Sequence, residues 1–138
     1  MSWIFYAFIS AGAAAATAIL AKIGVQGVPS TLATALRTTV VLVFAWLMVL
    51  VSHELPALWT LSRRSMLFLA LSGIGTGVSW LAYFRALQLG PASRVAPIDK
   101  LSLPLTVLLA ALILSEKVSW TVGAGVALMT LGALVTLL

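Results

Sequence analysis

The chain has 138 residues, 62% of them hydrophobic and 8% charged, with a mean hydropathy of +1.18. A soluble domain carries about 25% charged residues, so these values exclude a water-soluble fold and describe a membrane protein. The net charge of +5 would suit nucleic acid in a soluble protein, but here the basic residues stand mostly singly near the ends of apolar segments, where they serve as lipid anchors and topology signals.

A spanning helix needs about 20 mostly apolar residues, or ~30 Å at ~1.5 Å per residue. Five segments meet that length. The first, approximately 3–23, is closed by Gly24 and Gly27. It contains the small-residue run Ala11–Ala18, which resembles a cleavage site, yet no Lys or Arg precedes it and the apolar run continues beyond it. The segment is therefore expected to be a retained membrane helix. The second, 30–52, opens after Pro29. A connection over 52–64 follows, with His53, Glu54, Pro56 and Trp59, an amphipathic composition suited to the interface. The third segment, 65–89, ends at the Gly90–Pro91 pair. The fourth, 93–114, contains Asp99 and Lys100 between Pro97 and Pro104. The fifth is 119–138. Five crossings place the two termini on opposite sides. The basic residues divide as Arg63, Arg64 and Lys117 against Lys22, Arg94, Arg37 and Arg85, a weak bias that admits both orientations.

The fourth segment holds the least expected chemistry. Prolines at 97 and 104 leave the carbonyls of Ser93 and Lys100 without their usual helical donors, predicting a kinked or opened helix. Backbone of that kind is tolerated in a membrane where protein or a water-filled cavity satisfies it. Asp99, Ser102 and Thr106 share one stripe; Pro97, Lys100 and Pro104 lie near another. Intramembrane charges mark functional pathways by default. Asp99 reads either as a cavity group or as an ion-pair partner of Arg85 or Arg37, and Lys100 as a gate-side or interfacial anchor. In the third segment Ser72, Thr76, Ser79 and Tyr83 share one face, with Trp80 beside it. That face either lines a cavity or hydrogen-bonds neighbouring helices. Arg37 lies ~10 Å into the second segment, flanked by Thr34 and Thr38, and either snorkels or completes an inward polar site. The Gly73–Gly77 pair, the alanines of 11–16 and the pair Gly123 and Gly125 suit close helix approach. As a dinucleotide fingerprint the glycine run fails, since Val78 takes the last glycine position and no strand precedes it.

The chain has no Cys and no Asn, which removes disulfides, thiolate metal sites and N-glycosylation. His53 is the single histidine, so H-E-x-x-H zinc sites are excluded. No cofactor or metal is expected, and no nucleophile–base set points to an enzyme.

The stretch from Ser79 to the end resembles one EamA domain of the drug/metabolite transporter superfamily. The resemblance rests on Tyr83-Phe84-Arg85-Ala86-Leu87 before the Gly–Pro turn, on "APIDKLSLPLTVLL" (96–109), on the "SEK" turn (115–117) and on the glycine-rich closing helix. Arg37 matches a recurrent arginine of the family, and the resemblance extends over the whole chain. It implies an all-α polytopic domain over 1–138, half of an inverted-repeat transporter whose substrate sits in a central cavity. A single five-helix domain implies pairing with a second copy, and the related small multidrug resistance proteins pair antiparallel. The expected function is secondary transport of a small metabolite or drug-like solute across a cell membrane, the inner membrane in a bacterium, with no nucleic acid involved. Helices one to four are expected to line the cavity. The competing readings are an accessory subunit of a membrane complex and a subunit of a lipid or lipid-linked sugar flippase.

Overall fold

A computed structural model describes residues 3–138. Every described element is helical. Helix α1 covers Trp3–Gly24. Its exit turn needs Gly27, whose φ of 73° is a left-handed conformation that side-chain-bearing residues resist. Helix α2, Ser30–Val51, starts behind Pro29, whose carbonyl accepts the first intrahelical bond from Ala33 N–H at 2.9 Å. It ends without a glycine. His53 takes the left-handed position at φ 55°, while its own N–H and that of Glu54 donate back to the carbonyls of Leu50 and Val49. This is the six-to-one, five-to-two closure that normally recruits glycine, and it gives His53 a structural role.

The 52–64 connection contains a short 3₁₀ helix, Leu55–Thr60. Helix α3, Arg63–Leu89, begins with the Ser62 hydroxyl accepting the N–H of Ser65 at 3.0 Å. The expected fourth helix is two: α4, Ala92–Asp99, and α5, Ser102–Ile113. Helix α6, Trp120–Val135, is capped by Ser119 Oγ, which accepts the N–H of Val122.

Four helical stretches are long and apolar enough to cross a membrane among the described residues: Trp3–Gly24, Ser30–Val51, Arg63–Leu89 and Ala92–Ile113. The expected fifth span is shorter than its sequence suggests. At 16 residues α6 extends ~24 Å, less than the ~30 Å hydrocarbon core. Its apolar stretch is continuous from 119 to 138, but Ser119 is extended and precedes the helix, and residues 136–137 form a turn beyond it.

The chain divides into two compact units, the described residues up to Ile19 with Leu89–Leu138, and Leu20–Gln88. In the first unit, α6 packs against both α4 and α5, and Ala133 is buried. In the second, Val25, Thr34, Phe84 and Leu87 are buried. They belong to the α1–α2 turn, the start of α2 and the end of α3. Most other large apolar side chains are exposed, as expected for a chain whose solvent is lipid. The glycines correct one expectation. A Cβ built on Gly73, Gly77, Gly123 or Gly125 would meet nothing within 4 Å, so among the described residues these glycines make no close helix approach.

Candidate functional site

Two places hold polar chemistry within apolar helices, and they are built differently. The first lies in the Leu20–Gln88 unit. Its base is a cross-tie between the α1–α2 turn and the end of α3. Lys22 Nζ donates to the Leu87 carbonyl, placing a cation on the negative end of the α3 dipole. The Gln88 amide donates to the Val28 carbonyl and, at 3.5 Å, to that of Val25. Its own carbonyl accepts from Arg85 Nη1 at 3.2 Å. Lys22, expected to be a lipid anchor, is thus a helix cap. Arg85, expected to be an anchor or a partner for Asp99, is exposed and braces Gln88. Gln88 drew no attention in the sequence, although an amide in the last turn before a Gly–Pro stop is well placed to satisfy the carbonyls of a neighbouring turn.

Above the cross-tie, Arg37 reaches from α2 to α3. Its guanidinium carbon lies 4.1 Å from the centroid of Trp80 and 5.6 Å from that of Phe84. The two rings are one helical turn apart, so they form a single platform. Cation–π contacts of this kind contribute about 0.5–2 kcal/mol, most where water is absent. Arg37 and Trp80 are half-buried and Phe84 fully so. The guanidinium is therefore held against α3.

The expected hydroxyl face of α3 is a separate surface. Ser72, Thr76 and Ser79 are exposed, and only Tyr83 is half-buried. The buried and half-buried positions Gly77, Trp80, Phe84 and Leu87 lie about a quarter-turn round the helix from them. Nor do the threonines bridge helices. Thr34, Thr38, Thr39, Thr76, Thr106 and Thr130 each donate to the carbonyl four residues back, at 2.8–3.1 Å. Their protons are spent locally, while their lone pairs remain available to a ligand or water.

The second place is the break between α4 and α5. Asp99 and Lys100 form an ion pair at 3.5 Å, and both side chains are exposed, 39% and 54%. Three successive short-range bonds run through the break: Lys100 N–H to Pro97 O at 3.1 Å, Leu101 N–H to Ile98 O at 2.9 Å and Leu103 N–H to Lys100 O at 2.9 Å. This is 3₁₀ geometry. It corrects the expectation of a freed acceptor at Lys100: Pro104 has no N–H to give, and Leu103 one residue earlier donates instead. The span expected to kink or open is interrupted between Asp99 and Ser102, and there it tightens. Because residues three apart eclipse in a 3₁₀ turn, Asp99 comes into line with Ser102, and Thr106 follows one turn on. Pro97 and Pro104 frame the break from within α4 and α5.

No group of His, Asp and Glu suited to holding a metal occurs among the described residues. The EamA-like transporter family matches the chain over residues 1–138. A relative described as an uncharacterized transporter in cobO 3'region, from Sinorhizobium sp, is 47% identical over 133 residues, covering 96% of this chain and 94% of its own. No solved structure matches.

Proposed function

The chain belongs to the EamA-like transporter family, a multi-pass membrane transporter rather than an enzyme, and on that footing we propose that it carries a small metabolite or drug-like solute across the bacterial inner membrane as a homodimer. The observation that carries this reading is the exposed ion pair at the α4–α5 break. Asp99 is the eighth residue of the Ala92–Ile113 span, ~10 Å inside its start. Lipid rejects charges at that depth, and bundle interiors or water-filled cavities accept them. Asp99 and Lys100, with Ser102 and Thr106 below them, therefore line the solute path, with Pro97 and Pro104 setting the hinge about which α4 and α5 rock.

A second copy supplies the missing walls. The hydroxyl face of α3, with Ser72, Thr76 and Ser79, is exposed and the neighbouring Gly73 has open space around it among the described residues, and both suit a partner helix. Helix α6 makes the fifth crossing, aided by its flanking residues, so the two copies can pair in opposite orientations, as the near-even split of basic residues allows.

The test is counterflow of a mixed solute panel in vesicles reconstituted with purified protein. Crosslinking is read in parallel through a cysteine introduced at Ser72, since the chain has none of its own. Solute exchange together with a Ser72→Cys dimer supports the proposal. Dimer without exchange for any solute leaves an accessory subunit as the better account.

A further inference from the structure

Arg37 combines three features beyond its part in holding α2 against α3. It lies ~10 Å inside a spanning helix, it is half-buried, and it has no hydrogen bond or ion pair among the described residues. The rings of Trp80 and Phe84 hold it through the face of the guanidinium. All five N–H donors lie in the guanidinium plane, so stacking fixes the group's direction without using any of them. The indole N–H of Trp80, also a donor only, is likewise without a hydrogen-bond partner among the described residues. Among the described residues of its own unit Arg37 has no counter-ion beside it. Glu54, the one acid of the Leu20–Gln88 unit against five basic residues, lies past the far end of α2, about 20 Å along the helix from Arg37. Asp99 is engaged by Lys100. An orientated fork of unused donors in an electropositive, apolar setting is a seat for an oxyanion.

We propose that Arg37, braced by Trp80 and Phe84, binds the carboxylate or phosphate group of the transported solute, which makes the substrate class small organic anions. The inference rests on the transporter reading and specifies its substrate. The aromatic platform favours anions that carry a flat apolar portion over fully hydrated ones.

Calorimetric titration of protein purified in a phosphate-free maltoside detergent tests it. The probes are benzoate, inorganic phosphate, the neutral isostere benzyl alcohol and the cation benzylammonium. Saturable binding of benzoate or phosphate is expected, with no comparable binding of the other two. Arg37→Gln should weaken it roughly tenfold or more, and Arg37→Lys, which keeps the charge and loses the planar fork, by less. Melting temperature and helicity of each variant are read alongside; should Arg37→Gln fail to fold, Arg37→Lys carries the test. Equal binding by wild type and the folded Arg37 variant overturns the proposal, as does a preference for benzyl alcohol or benzylammonium. Binding of added phosphatidylglycerol with none of the soluble anions also overturns it, and makes Arg37 a lipid site. Vesicle counterflow separates the two layers of the argument. Anion binding without exchange contradicts transport and leaves the site intact, whereas exchange of cations or neutral solutes without anion binding contradicts the site and leaves transport intact.

Discussion

Arg37 and the Asp99–Lys100 pair are both charges placed within apolar helices, yet their surroundings differ in kind. Arg37 is reached by two rings from another helix and stands above a cross-tie in which Lys22 and Gln88 join separate segments and Arg85 braces Gln88. Asp99 and Lys100 are sequence neighbours that hold each other, and the hydrogen bonds around them span three residues. The first arrangement fixes distant parts of the chain against each other. The second constrains only its own turn. An intramembrane charge is therefore not in itself a sign of a moving part: what it is tied to decides whether it behaves as framework or as joint.

Substitutions can break this contrast, and the largest effect is expected in the framework. Phe84→Ala removes a buried ring and half of the Arg37 platform, and should lower stability by about 3 kcal/mol, seen as a large drop in the detergent melting temperature. A loss below about 1 kcal/mol would mean that the α2–α3 contact is not a fixed one. Gln88→Leu keeps the volume and leaves the Val28 carbonyl and Arg85 without their partner, for an expected loss of about 1–2 kcal/mol in the same assay. At the joint the sign of the expectation changes. Asp99→Asn should move stability by less than about 0.5 kcal/mol, since exposed pairs contribute little, while solute exchange in vesicles falls severalfold. A collapsed melting temperature with normal exchange would reassign Asp99 to the framework. The smallest effect on stability belongs to Pro104→Ala. It returns an N–H to the backbone, lets Lys100 regain an i+4 donor and should leave the melting temperature unchanged or slightly raised, with slower exchange as the measurable consequence.

Much of the framework was legible as helices and little of it as contacts. Gly24, Gly27, Pro29, Gly90 and Pro91 punctuate the helices because glycine permits and proline forces a stop, whereas the stop of α2 at His53 carries no such mark. Capping serines at 62 and 119 mark the starts of α3 and α6. Periodicity located the hydroxyl stripe of α3 but could not identify the packed face, because in lipid both faces are apolar enough and burial follows the partner helix. The Arg37–Trp80 and Lys22–Leu87 contacts join residues more than forty positions apart, a separation at which local pattern carries no information. At the joint the prolines identified the place and misled about its form. Loss of two N–H groups predicts free carbonyls only if the helix keeps its i+4 pattern, and the chain avoids that by tightening to i+3 around Lys100. The short α6 has a similar cause, since an unbroken apolar run does not show where its helical turns stop.

The contrast between joint and framework is tested most directly by solvent accessibility in the lipid-reconstituted protein. Single cysteines at Ser102, below the Asp99 break, and at Thr34, buried beside the Arg37 platform, are exposed in separate samples to a charged, membrane-impermeant thiol reagent; the cysteine-free parent gives a clean background. The account predicts rapid labelling of Ser102→Cys from the water phase, slowed by a transported solute, and no labelling of Thr34→Cys until the protein is denatured. Protection of Ser102→Cys, or equal labelling at both positions, would contradict it.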